Sequence, residues 1–338
     1  MPAFDAVICG AGVGGLTLAH ILGRAGRRVL LVEKQRRPRT VHKGELLQPR
    51  SLEILQGIDL LPHMSARGVV RVDRLICRTA QGAELVPLGY GMLPGPFNHG
   101  LIHYYHQMKE AIAGQLGPSV EFWRGVRVED LIRDSIGRVA GVRLLADGER
   151  IDVDAPLTVA ADGHASRLRE AAGIHVPMRR YGHHLVAFDI GGVPGLGQDM
   201  AAYLTRDGLR VLFQMPGDRA RLYVQIPSGG FRDVGRAGLP EWIDRLLRTV
   251  PALAPIAGPL RESQHGVQVL SAWRFNAPAP TRPGVVLLGD AAHCVHPMVG
   301  QGMNAQDFAV LLVQQARASG IELKPENVAV SDGLIPVS

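Results

Sequence analysis

Two hydrophobic patterns run along this chain. Short, nearly unbroken apolar runs, Ala6 to Cys9, Val29 to Val32, Leu157 to Ala160 and Val285 to Leu288, read as strands buried on both faces, the mark of a parallel sheet. Between them lie segments of period-two alternation. Val72 to Val86 predicts a hairpin with Gln81-Gly82 as its turn, followed by a Gly/Pro-rich connection from Leu88 to Gly100. Val126 to Ile132, Arg138 to Leu144 and Glu149 to Val153 predict a meander, with turns at Ser135-Ile136-Gly137 and Ala146-Asp147-Gly148. Further strands are expected at His184 to Ile190, Leu209 to Met215, Arg219 to Ile226 and near Val267 to Leu270. Helical spacing starts at Gly14 and recurs at Arg50 to Leu55, Tyr104 to Leu116, where Gly117-Pro118 closes it, and Trp242 to Leu247.

Parallel-type runs at both ends, with antiparallel-type strands between, predict a mixed α/β (α+β) fold in which one lobe is discontinuous in sequence. A Rossmann-like lobe with a parallel sheet is expected over 1–72, 97–175 and 278–320. A sheet-rich substrate lobe is expected over 73–96 and 176–277, and an unpatterned polar tail over 321–338. A chain of 338 residues is long for one compact domain, which agrees with two lobes.

Chemistry concentrates where the apolar runs end. After the first run come Gly10, Gly12, Gly14 and Gly15, with Val13 among them, between strand and helix. There a bare backbone can approach a pyrophosphate beside the positive helix N-terminus. The second run ends at Glu33, followed by Lys34; an acid at this spacing accepts hydrogen bonds from an unphosphorylated ribose. The third run delivers Asp162-Gly163 and the fourth Gly289-Asp290, at the carboxyl ends of strands, where open α/β sheets present their ligands. Beyond them stand Pro297 and Gly300-Gln301-Gly302-Met303-Asn304.

Taken together, these motifs resemble the FAD-dependent aromatic hydroxylases, the para-hydroxybenzoate hydroxylase-like or group A flavoprotein monooxygenases, over roughly Phe4 to Asn304. The resemblance implies FAD as cofactor. It assigns Gly10, Gly12, Gly14 and Glu33 to the ADP half, Asp290 to ribityl and pyrophosphate oxygens, and Asp162 with Gly163 to the cofactor and a transient NAD(P)H. Pro297 falls in the loop beneath the isoalloxazine, and residues 300–304 offer backbone N–H groups to the flavin ring. The family's basic residue near the pyrophosphate falls on Lys43, and the polar residue opening its next long helix falls on His103. Both differ from the family's usual arginine and glutamine or arginine; Lys43 keeps the charge without the bidentate fork.

By the same resemblance Arg221 is a flavin-side or nicotinamide contact and Tyr223 a pocket residue, while His183, His184 and Tyr223 are candidates to manage protons. Phe213 and Met215 replace the hydroxyl and guanidinium that clamp a carboxylate in the benzoate hydroxylases, so a larger and flatter substrate is expected. The implied function is monooxygenation: NAD(P)H reduces FAD, O2 is carried as a flavin C4a-hydroperoxide, and a largish aromatic, polyketide-like or quinone-type molecule is hydroxylated or epoxidised. Alternatives are a flavin-dependent reductase or dehydrogenase of alkenes, and a non-catalytic FAD-binding scaffold or truncated homologue. The latter rests on the C-terminus, where the family's usual Tyr-x-x-x-Arg-x-Pro segment is missing.

Charge and composition change this little. The net charge of +6 comes mainly from scattered arginines, with lysine only at Lys34, Lys43, Lys109 and Lys324, so no nucleic-acid partner is expected. Cys9, Cys77 and Cys294 lack disulfide or metal spacing, and His293 and His296 belong to the flavin-loop pattern, so no metal is expected. No apolar run is long enough to cross a bilayer and no leader precedes the first strand, which predicts a cytoplasmic protein; a homodimer is compatible with the sequence.

Overall fold

The computed structural model describes residues 4–231, 234–235 and 237–299. Residues 300–304 of the expected flavin loop and the tail lie outside them. A six-stranded sheet is ordered Thr281–Arg282, Val285–Leu287, Thr158–Ala160, Ala6–Cys9, Val29–Glu33 and Val120–Arg124; all neighbours are parallel except the first pair. The four apolar runs therefore lie side by side although they are drawn from both ends of the chain. Ala6–Cys9 is buried throughout, which explains why its sequence shows no alternation.

Behind this sheet packs the helix Val13–Arg24, with Leu16, Leu18, Ala19 and Leu22 in a core shared with Leu52, Leu55, Met108 and Ile112 from the helices Pro49–Gly57 and Tyr105–Ala113. The predicted meander, Val126–Arg133, Val139–Ala146 and Glu149–Asp154, forms a three-stranded antiparallel sheet on the opposite side, burying Val139, Val142 and Leu144 with Val7, Leu30 and Leu287.

The alternating segments assemble into an eight-stranded sheet, ordered His293–Cys294, Gln268–Asn276, Arg179–Gly191, Arg219–Pro227, Gly208–Met215, Asp199–Thr205, Arg74–Thr79 and Glu84–Gly89. One face is covered by the helix Leu239–Thr249, whose Leu239, Trp242, Ile243 and Leu246 recur at helical spacing and are buried; Trp242 stacks on Phe188 at 6.0 Å. On the other face Val211, Phe213 and Met215 pack with Leu46, Val72 and Ile102, residues of a small sheet made by Leu46–Leu47, Gly100–Ile102 and Val70–Val72. Val120–Arg124 and Asp199–Thr205 fall outside the patterned segments. Both are only partly buried, so neither carries a clean run or alternation. Among the described residues no helix is long and apolar enough to cross a membrane.

A single glycine joins the meander to the parallel sheet. Gly284 has φ +80°, and a Cβ there would lie 1.9 Å from the Val139 carbonyl oxygen. Its carbonyl accepts from Thr158 N–H at 2.8 Å, while Val139 N–H donates to the Pro283 carbonyl at 3.0 Å. Gly284→Ala is expected to destabilise the protein by roughly 1–3 kcal/mol, read as a lowered urea midpoint.

Candidate functional site

One cavity of about 830 Å³ runs from the glycine turn after the first strand, past the carboxyl ends of the parallel strands, to the face of the eight-stranded sheet. It is of a size that holds a cofactor-class ligand. Gly10, Gly12, Val13, Gly14 and Gly15 line one end, with Glu33 and Lys34 beside them.

The glycines divide by role. A Cβ on Gly10 would lie 2.2 Å from the Ala161 carbonyl oxygen and one on Gly15 2.0 Å from the Gly10 carbonyl oxygen, so both serve close packing between strand, helix and neighbouring strand. At Gly12 the nearest atom is the Tyr105 hydroxyl at 3.7 Å, which leaves room above the helix. That helix has no acidic residue in its first turn and no capping side chain at Gly12. Its N-terminus therefore carries uncompensated positive potential toward the cavity. Tyr105, buried against Lys43 and bonded to the Val13 N–H, also lines this end; no sequence motif marks it.

Glu33 accepts from Ala11 N–H at 3.0 Å through one oxygen and from Gln35 N–H at 2.9 Å through the other. Each oxygen keeps a lone pair, so the acid is fixed in place and can still accept from a ribose. Lys43 lines the middle of the cavity 3.7 Å from Asp290, both side chains being about two-fifths exposed. Burial works against the Lys43 ammonium, but Asp290, Tyr105 and Cys294 hold it in the charged form above its usual pKa. Gly289, Asp290 and Pro297 complete this wall. At Gly289, with φ +60°, nothing lies within 4 Å of an added Cβ.

Asp162 and Gly163 also line the cavity, but the Asp162 carboxylate faces its own helix. It accepts from the Ser166 hydroxyl, from Arg167 N–H at 3.0 Å and from Leu168 N–H at 3.3 Å, while Ser166 caps the helix Arg167–Ala171. The acid expected to serve the ligand is thus first a brace for the turn. Arg169 is buried and donates to the carbonyls of Ala291 and His164, both at 3.0 Å, tying the Asp162 turn to the Asp290 turn.

Several expected residues lie elsewhere. Arg221 is fully buried and does not line the cavity; its guanidinium meets Glu45 at 2.8 Å, the Phe188 carbonyl at 3.1 Å and Asp189 at 3.8 Å. His184 is outside the cavity, with its Nε2 accepting from Arg180. His103 is buried, is not part of the lining, and is held near pKa 4 by desolvation. Met215 sits in the core behind Phe213, whereas Phe213 and Tyr223 both reach the cavity. His183 pairs with His296 at 2.6 Å, and His296 Nδ1 accepts from Met298 N–H at 3.2 Å. Glu45, with no motif to mark it, lines the cavity with Tyr223: the Tyr223 hydroxyl lies 2.7 Å from Glu45 Oε2 and 3.0 Å from the His42 carbonyl.

The donor set suits FAD. An uncapped helix N-terminus and Lys43 match a pyrophosphate, and Glu33 a ribose.

Comparison with known proteins agrees. A family model described as "FAD binding domain" matches residues 3–314. The 6-methylpretetramide 4-monooxygenase of Streptomyces rimosus is 28% identical over 315 residues, covering 89% of this chain and 72% of that protein. Squalene epoxidase erg1 of Aspergillus fumigatus is 30% identical, covering 88% of this chain and 63% of that protein. The structure of P. aeruginosa PqsL in complex with 2-aminobenzoylacetate superposes with a TM-score of 0.80 at 25% identity, covering 96% of this chain and 90% of PqsL. The chain spans 52% of the length of other curated relatives, the squalene monooxygenase of Mus musculus among them.

Two outcomes follow from the buried charges. Arg221→Met leaves Glu45 without its cation and is expected to cost about 3–5 kcal/mol in chemical denaturation. His103 is neutral in the folded chain down to about pH 4 and takes up a proton near 6.5 when unfolded. Stability from this group is therefore complete above about 6.5 and is lost as pH falls toward 4. His103→Leu is expected to flatten that part of the profile of urea midpoint against pH.

Proposed function

The chain belongs to the FAD-binding domain family, and from that premise we propose an FAD-dependent monooxygenase that uses NAD(P)H and O2 to hydroxylate or epoxidise a largish aromatic, polyketide-like or quinone-type molecule. The observation that carries this reading is the continuity of one cavity from the glycine turn and Lys43 to an apolar wall of Leu185, Met200, Val211, Phe213 and Trp273. A cofactor held at the first end brings its reactive part beside a substrate held at the second. The cofactor lobe is taken as 1–72, 97–175 and 278–320, and the substrate lobe as 73–96 and 176–277.

FAD, when bound, supplies the redox chemistry, accepting electrons from a nicotinamide and activating dioxygen. The chain's own residues do the rest. Glu33 and the helix N-terminus at Val13 hold the adenosine and pyrophosphate portions, and Lys43, kept charged by Asp290, offsets phosphate charge. The aliphatic and aromatic wall excludes water from the reacting region, which suppresses wasteful loss of activated oxygen. With no cation among the described residues of that wall to clamp a carboxylate, it favours an extended apolar ring system over a small benzoate. The fused-ring 6-methylpretetramide named for one relative is in keeping with that class; the 2-aminobenzoylacetate bound in PqsL is a single-ring carboxylate and is not.

The test is isotopic. The FAD-loaded protein is incubated with NADH or NADPH, labelled dioxygen and a panel of polycyclic phenols and quinone precursors, and products are weighed by mass spectrometry. One labelled oxygen in a product is expected. Nicotinamide oxidation with no labelled product anywhere in the panel, or no reduction by either nicotinamide, refutes the reading.

A further inference from the structure

We propose that the substrate carries an extended, uncharged hydrocarbon chain, alkyl or prenyl, which leaves the cavity over Met200 and lies on the face of the eight-stranded sheet formed by Asp199–Thr205, Arg74–Thr79 and Glu84–Gly89. This rests on the monooxygenase reading and deepens it. Two cross-strand rows carry the inference. In the first, Tyr223, Val211, Ala202, Cys77 and Val86 stand opposite one another in turn across five neighbouring strands. In the second, Met200, Leu75 and Leu88 do the same across the last three. Residues paired in this way share one face of the sheet. Tyr223, Val211 and Met200 line the cavity, whereas Val86 and Leu88, at the far ends of the rows, are 50% and 58% exposed. The floor of the cavity therefore continues along one face to the outer surface.

The composition of that surface is the second observation. An antiparallel sheet with one face toward water normally alternates apolar and polar side chains, and an edge strand is normally guarded by charge. Here the helix-covered face takes Ala201 and Tyr203, buried in one core with Trp242 and Ile243. The opposite face takes Met200, Ala202 and Leu204 from the same strand, and Leu204 is 46% exposed. No residue of the two rows is charged; Arg74 and Arg78 of the adjoining strand turn the other way, to Asp199. An exposed apolar surface continuous with a binding cavity is one that a ligand covers.

The occupant these rows fit is an uncharged chain. Pro87, in the middle of the edge strand Glu84–Gly89, has no N–H with which the strand of a second copy could pair, so extension of the sheet by another chain is disfavoured. From Met200 to Leu88 is two interstrand steps, roughly 10 Å, about the length of an octyl chain.

Cys77 lies between Ala202 and Val86 on the first row and reports on its occupancy. The experiment follows alkylation of Cys77 by iodoacetamide in FAD-loaded protein, read by peptide mass spectrometry, with 4-ethylphenol or 4-octylphenol present below its micelle concentration and no nicotinamide. Binding of each phenol is read in parallel from the perturbed FAD absorbance. 4-Octylphenol is expected to bind more tightly than 4-ethylphenol and, at about ten times its Kd, to slow alkylation of Cys77 about tenfold, while 4-ethylphenol leaves the rate unchanged. Leu88→Asp is expected to abolish that protection and most of the octyl advantage in Kd. Ile136→Asp, which removes a still more exposed apolar side chain from the meander turn, is expected to keep both. Failure of 4-octylphenol to bind, equal alkylation rates with the two phenols, protection retained in Leu88→Asp or protection lost in Ile136→Asp overturns the proposal. So does slow alkylation before any phenol is added that quickens on dilution, the sign of a second copy on this face. Because nothing turns over, absence of oxygen insertion refutes the monooxygenase reading without touching this result, and absence of protection refutes the chain site without touching oxygen insertion.

Discussion

Two charges removed from water hold one loop against the eight-stranded sheet. Arg221 sits on a strand of the eight-stranded sheet and Glu45 on the loop that also carries Lys43, and each is the other's main charge partner at 2.8 Å. Separation of that loop from the sheet leaves the buried guanidinium with only the Phe188 carbonyl and Asp189, so the ion pair holds the loop against the sheet. Lys43, Leu46 and Leu47 ride on that loop. The position of the cation beside Asp290, and of the apolar side chains opposite Phe213, is inherited from a contact that touches neither ligand.

The parallel sheet was legible because its strands are buried on both faces and therefore unbroken in hydropathy, and because glycines and acids stand at their carboxyl ends in the order a dinucleotide site needs. The meander and the strands from Arg179 to Pro227 were legible from alternation. Val120–Arg124 and Asp199–Thr205 were not, since a half-exposed strand imposes no strict pattern on either face. Within the site, the sequence located the turns but not the direction of the side chains. Asp162 has the right position, yet the nearest donors are the N–H groups of its own following helix. Arg221 stands on the expected strand but is claimed by Glu45, a partner 176 residues away that no local pattern reveals.

The glycine fingerprint carries a similar lesson. Gly10 and Gly15 are fixed by neighbouring carbonyl oxygens within the fold, whereas a Cβ on Gly12 would meet nothing nearer than the Tyr105 hydroxyl at 3.7 Å. A motif read as a binding signature is in large part a packing signature, which is why it is so strict about order. What the cavity accepts at its far end depends instead on a handful of side chains on five strands of the eight-stranded sheet.

The contact between His183 and His296 ties the position of two protons to the shape of one loop. Because the Met298 amide donates to Nδ1 of His296, a neutral His296 ring carries its hydrogen on Nε2 and directs it at Nε2 of His183. His183 must then carry its own hydrogen on Nδ1. Burial and the neighbouring His183 lower the pKa of His296, which keeps it in this neutral form. The backbone between Pro297 and Val299 thus selects a tautomer two rings away, on the strand Arg179–Gly191. Rotation of the Met298 peptide removes the donor that fixes this tautomer, so the loop and the strand that carries His183 are coupled through the two imidazoles.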